Sequence, residues 1–114
     1  MDVKIITSKI SKEELAQYAK EQYVEMIKGA IDIGKGSMAL GGEWHMDANQ
    51  VLIDNGSEQK DIWGFNIYVD KNHDERVEYI SLINIRPAQN NRSMEIEDGT
   101  IREKMKKVID LLVE

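Results

Sequence analysis

The sequence predicts an α+β fold, an antiparallel sheet of about five strands with three helices packed mainly on one face, in the order β-α-β-β-α-β-β-α. Three observations point there. Apolar residues recur at helical steps up to about Val24 and then alternate singly from Met26, so the period switches from helix to strand. Two stretches read as strand-turn-strand with connections too short for a crossover, which forces antiparallel pairing. Finally, polar capping residues stand directly before the helical stretches.

Val3–Ile6 is a short β-branched run. Ser11, followed three residues later by Glu14, forms a capping box, with Ile10 and Leu15 as its apolar staple, and predicts a helix from about Lys12 to Val24. Leu15, Ala19, Tyr23 and Met26 are its expected buried stripe. Ile27, Gly29, Ile31 and Ile33 then alternate with polar or small residues, Gly34-Lys35-Gly36 turns the chain, and Ser37–Gly41 returns as the partner strand. Asp47 reads as the cap of a short helix ending at Asn55-Gly56; the rival is a strand turning at that Asn-Gly. Ile62–Val69 and Arg76–Arg86 form a long hairpin around the polar turn Asp70–Asp74. Pro87 stops its second strand, Ala88–Glu97 is aperiodic, and Asp98 caps a last helix with Ile101, Met105, Val108 and Leu112 inward and a Glu103–Lys107 surface pair.

Composition narrows the function. One domain, residues 1–114, is the natural count, and 15 Lys+Arg against 21 Asp+Glu give a net charge of −6, which opposes nucleic-acid binding. With no cysteine there are no disulfides, thiolate metal sites or thiol nucleophiles. The N-terminal apolar run is too short for a signal or a membrane span, so a cytoplasmic protein is expected. A sheet with helices on one side leaves its other face to water or to a second copy, a candidate homodimer surface.

Three polar constellations are candidate sites. In an extended Gly41–Asp47 segment, Glu43, His45 and Asp47 would share one side, a set suited to Zn²⁺, Mn²⁺ or Fe²⁺ or to a carboxylate-oriented histidine base; alternatively Gly41-Gly42 merely bends the chain and Asp47 caps a helix. Asn84, Arg86, Gln89, Asn90, Asn91, Arg92 and Ser93 form a cationic, amide-rich stretch in an acidic chain, an anion cradle or a set of loop-capping groups. Asp61, Trp63, Gly64, Asn66 and Tyr68 mark a strand with one small, polar face (Gly64, Asn66, Tyr68) and one apolar face.

Together, Gly41-Gly42-Glu43-x-His45, Gly56-Ser57-x-Gln59-x-Asp61-x-Trp63-Gly64-x-Asn66 and Ile83-Asn84-Ile85-Arg86-Pro87-x-Gln89-x-Asn91-Arg92-Ser93 resemble a family of small prokaryotic proteins described as a domain of unknown function. A glycine often stands in that family where this chain has Asn90. The resemblance implies a stand-alone prokaryotic protein and no particular activity.

The leading functional expectation is a binding or regulatory protein in which Arg86 and Arg92, with Asn84 nearby, hold a small anionic molecule while Glu43, His45 and Asn66 select the rest of it. The alternatives are a metal-assisted hydrolase using Glu43, His45 and Asp61 with a divalent metal, and a structural homo-oligomeric module. Walker, Rossmann, nucleophile-elbow and HExxH spacings are absent.

Overall fold

Alternation along the central strands sets the architecture. In a computed structural model, which describes residues 2–22 and 25–114, the elements are β1 (Lys4–Ile6), α1 (Lys12–Lys20), β2 (Met26–Asp32), β3 (Ser37–Leu40), α2 (His45–Asp54), β4 (Ile62–Tyr68), β5 (Val77–Glu78) and α3 (Gly99–Leu112). The sheet runs β1-β3-β2-β4-β5 with every pair antiparallel. The order β-α-β-β-α-β-β-α and the α+β class are those the sequence predicts. No described helix is long and apolar enough to cross a membrane.

Ile27, Ile31, Met38, Leu40, Trp63, Phe65 and Ile67 share one face of the sheet and pack against Leu15 and Ala19 of α1 and Met105, Val108 and Ile109 of α3. The opposite face is lined by Ala30, Ala39 and Gly64, small enough for α2 to settle closely through Ala48 and Leu52. Two of the three helices therefore lie on one face and the third on the other. The face expected to wait for water or a second copy is covered by the chain itself.

Local chemistry explains the boundaries. Ser11 caps α1 by accepting from Glu14 N (3.1 Å), and Asp98 caps α3 by accepting from Thr100 N (2.8 Å). α1 closes earlier than the apolar stripe suggests, because Glu21 and Gln22 donate to carbonyls three residues back and tighten the last turn. Tyr23 of the expected stripe, and Val24 at the expected end, lie outside the described residues. On α3 the ion pair one turn apart is Lys106–Asp110 (2.7 Å) rather than Glu103–Lys107. The helix expected to be capped by Asp47 instead starts at His45: Gly41 and Gly42 take φ of 112° and 87°, and the Asp47 carboxylate reaches back to Trp44 N (2.9 Å).

The largest departure is the second hairpin. A strand was expected over Arg76–Arg86, yet β5 holds two residues, after which Ile80 bridges Glu95 and Leu82–Asn84 winds into a 3-10 turn started by Ser81. The Asn84 side chain takes the place of the missing ladder partner: its Oδ1 accepts from Gly64 N (2.8 Å) and its Nδ2 donates to Gly64 O (3.0 Å). Gly64 is required here, since a Cβ at that position would stand 2.7 Å from Ser81 Cβ.

Asn84→Ala should strand both polar groups of the buried Gly64 peptide and lower the unfolding free energy by about 2 kcal/mol. Urea denaturation would show it as a lower midpoint at unchanged slope. An unchanged midpoint would mean that the amide carries none of the closure.

Candidate functional site

The departure of the chain from the sheet edge opens a cleft of about 530 Å³ between the start of α2 and the segment Ile80–Met94. His45 and Asn66 stand in its wall beside Lys28, and Trp44, Met46, Leu82 and Met94 form an apolar rim. Those four are among the six large hydrophobic side chains that are well exposed among the described residues. Clusters of exposed apolar side chains are common at interaction surfaces.

The polar wall is built on β4. Lys28, Ala30 and Asp32 pair with Asn66, Gly64 and Ile62, so Asn66 points to the α2 face, where the first residue of α2 meets it. His45 Nε2 lies 2.8 Å from Asn66 Oδ1 and 3.0 Å from Phe65 O. Both are acceptors, because Asn66 Nδ2 donates in turn to Glu78 Oε1 (2.8 Å), which also accepts from the Tyr68 hydroxyl (3.2 Å). The chain of donors therefore fixes the proton on Nε2 and leaves Nδ1 as a lone pair with no hydrogen-bond partner among the described residues. Burial lowers the His45 pKa from its ordinary 6.5 and Lys28 adds to this, while the Asn66 and Phe65 bonds and the Glu78 charge pull the other way. A neutral imidazole anchored through one nitrogen can take a hydrogen bond or a proton at the other.

The other sequence-selected residues have different surroundings. Arg86 lies over the Trp63 ring, 4.4 Å from its centre, and donates to the carbonyls of Ile83 (3.0 Å), Gln59 (2.9 Å) and Ile62. Asn84 is fully buried, its amide shared between Gly64 and Met94 O. Asn91 Nδ2 ties together the carbonyls of Asn84, Ser93 and Glu95, and Asn90 takes φ of 63°, the left-handed turn that asparagine and glycine both tolerate. Asn49 and Gln59 pair reciprocally through their amides (2.7 and 2.8 Å). Arg92 is exposed, and its main-chain N donates to Glu97 (3.0 Å). These amides and Arg86 hold the loop that walls the cleft.

Glu43, His45 and Asp61 do not converge. Asp61 sits by the β2–β3 turn, its main-chain oxygen accepting from Ile33 N and its carboxylate beside Gly34, on the order of 15 Å along β4 from Asn66. Glu43 is exposed and its carbonyl accepts from Lys28 Nζ (2.8 Å). Among the described residues no group of three or more His, Cys, Asp or Glu side chains could hold a metal ion. Sequence reasoning missed Lys28, Glu78, Leu82 and Met94. Lys28 was legible from strand parity, whereas Glu78 and Leu82 lie in the segment read as strand and Met94 in the aperiodic loop that follows it.

Fold and cleft thus define an α+β protein with an apolar-rimmed surface cleft that has a histidine in its wall. The chain belongs to the DUF5674 family, proteins of unknown function, whose profile matches residues 4–112. No curated protein and no solved structure matches the chain.

His45 should titrate below 6.5 by NMR. Its folded value being depressed, the unfolded chain takes up the proton first as pH falls, so this residue's contribution to stability is full above 6.5 and is lost as pH drops from there toward the folded-state value. Urea unfolding at pH 7.5 and 5 should show a smaller acid loss for His45→Phe than for the wild type. Equal losses would remove His45 from the pH dependence.

Proposed function

We propose that this protein binds a small, mainly apolar organic molecule bearing one N–H or O–H donor, seated in the cleft with its body on Trp44, Met46, Leu82 and Met94. The single observation that carries this reading is the His45 Nδ1 lone pair, on a ring held in place by the Asn66 and Phe65 contacts in the polar wall of an apolar-rimmed cleft. Ligand sites are commonly of this size and makeup, a few placed polar groups among apolar ones. The reading keeps a binding protein, as the sequence suggests, but gives the anchoring role to His45 and Asn66, with Lys28 for any acidic substituent. Arg86, in contrast, meets main-chain carbonyls. A prokaryotic, cytoplasmic setting belongs to the same proposal, on the family resemblance.

The exposed rim favours a second reading, in which the same surface meets a second copy of this chain. The measurements separate the two. A fragment library of planar N–H and O–H donors, followed by Trp fluorescence and amide shifts, should yield binders whose affinity falls roughly tenfold in His45→Phe, the cost of one hydrogen bond. Binding that is indifferent to both His45→Phe and Leu82→Asp would sink the small-molecule reading. A dimeric mass in light scattering that becomes monomeric in Leu82→Asp would support the second.

A further inference from the structure

Away from the cleft, the start of α1, the end of β4 and the following turn enclose a separate cavity of about 140 Å³. Its wall includes Lys12, Tyr68, Lys71, Asn72, His73 and Arg76, and among the described residues no carboxylate lines it. In a chain of net charge −6, this is a notable concentration of positive side chains. Arg76 is 4% exposed. Its terminal nitrogens donate to the main-chain oxygens of Glu114 (2.7 Å) and Val113 (3.3 Å), and the nearest carboxylate, on Asp110, is 3.6 Å away. Its Nε, also buried, has no hydrogen-bond partner among the described residues. Asp110 and Asp74 stand outside the lining and face His73 at 3.3 and 3.8 Å.

A buried guanidinium with one unmet donor, whose ion-pair partner Asp110 also serves His73 and Lys106, stands beside further cations and favours an anion. We infer that this cavity is a site for one tetrahedral oxyanion, a phosphate or the phosphoryl end of a monoester. Size permits this: the cavity, about 140 Å³, has several times the room that a single water needs. Geometry selects tetrahedral over planar anions. A carboxylate is best held by the fork of terminal guanidinium nitrogens, and in Arg76 those are already committed to main-chain oxygens. What remains is Nε together with the flexible ammonium groups of Lys12 and Lys71 on separate elements, a set that reaches an anion from several sides.

The test compares inorganic phosphate, glycerol phosphate and acetate at ionic strength matched with chloride, read by amide shifts over residues 71–76 and by thermal midpoint. Both phosphates, or inorganic phosphate alone, should move the 71–76 amides and raise the midpoint where acetate does not; the first pattern indicates a monoester ligand and the second free phosphate. The double variant Lys12→Ala/Lys71→Ala removes two side chains from the wall while sparing Arg76, and should weaken phosphate roughly tenfold or more, with its ligand-free midpoint little changed. Arg76→Lys, which keeps the charge and lacks Nε, should weaken it similarly if it folds. Equal responses to acetate and phosphate, or full phosphate affinity in the double variant, would overturn the assignment.

Discussion

The structure turns on one side-chain amide. Asn84 supplies to Gly64 the donor and acceptor that a neighbouring strand would have given, and so ends the sheet edge without leaving the β4 backbone unpaired. Because that edge is satisfied, the chain from Ser81 onward is free to fold over the second face, where Ile83 joins Ala30, Leu52 and Ile62 in the smaller core cluster. The cleft is the gap left between this overlaid segment and the first turn of α2. A regular strand over Arg76–Arg86 would have paired with β4, and Leu82 and Met94 would not form a rim around His45.

Within the cleft, polar order is inherited rather than local. Glu78 accepts from Asn66 and Tyr68, Asn66 presents its oxygen to His45, and His45 is left with one anchored and one open nitrogen. Each step depends on the previous donor having a partner, which is why a half-exposed histidine at a helix start is held in one tautomer. The apolar rim then lowers competition from water at that open nitrogen.

Three arginines that composition cannot tell apart are separated by hydrogen-bond accounting. Arg86 is sandwiched between Trp63 and main-chain carbonyls, which neutral acceptors and an aromatic face can stabilise well enough to make it a structural clamp. Arg76 is more deeply buried yet incompletely partnered, and it stands in the wall of a cationic cavity. Arg92 is exposed. Sequence reasoning favoured Arg86 and Arg92 because they sit amid amides, a pattern shared by anion cradles and by loops that cap their own backbone.

The sequence alone determined the class of fold, the order of its elements, the capping of α1 and α3, the first hairpin and the two-faced character of β4, because each follows from periodicity or from groups three or four residues apart. It also marked Gly41-Gly42 as a bend and His45, Asn66 and Asn84 as residues of consequence. Only the tertiary structure decided that the chain leaves the sheet after Glu78, that α2 begins at His45 and covers the second face, that Glu43, His45 and Asp61 stay apart, and that Arg76 joins Lys12 and Lys71 around a cavity. Val77 to Ile85 has strand-like composition throughout; what overrides it is a pair of hydrogen bonds between Asn84 and Gly64, twenty residues away. Local propensity has no term for such a partner, and the register that brings the two together exists only once the sheet has formed.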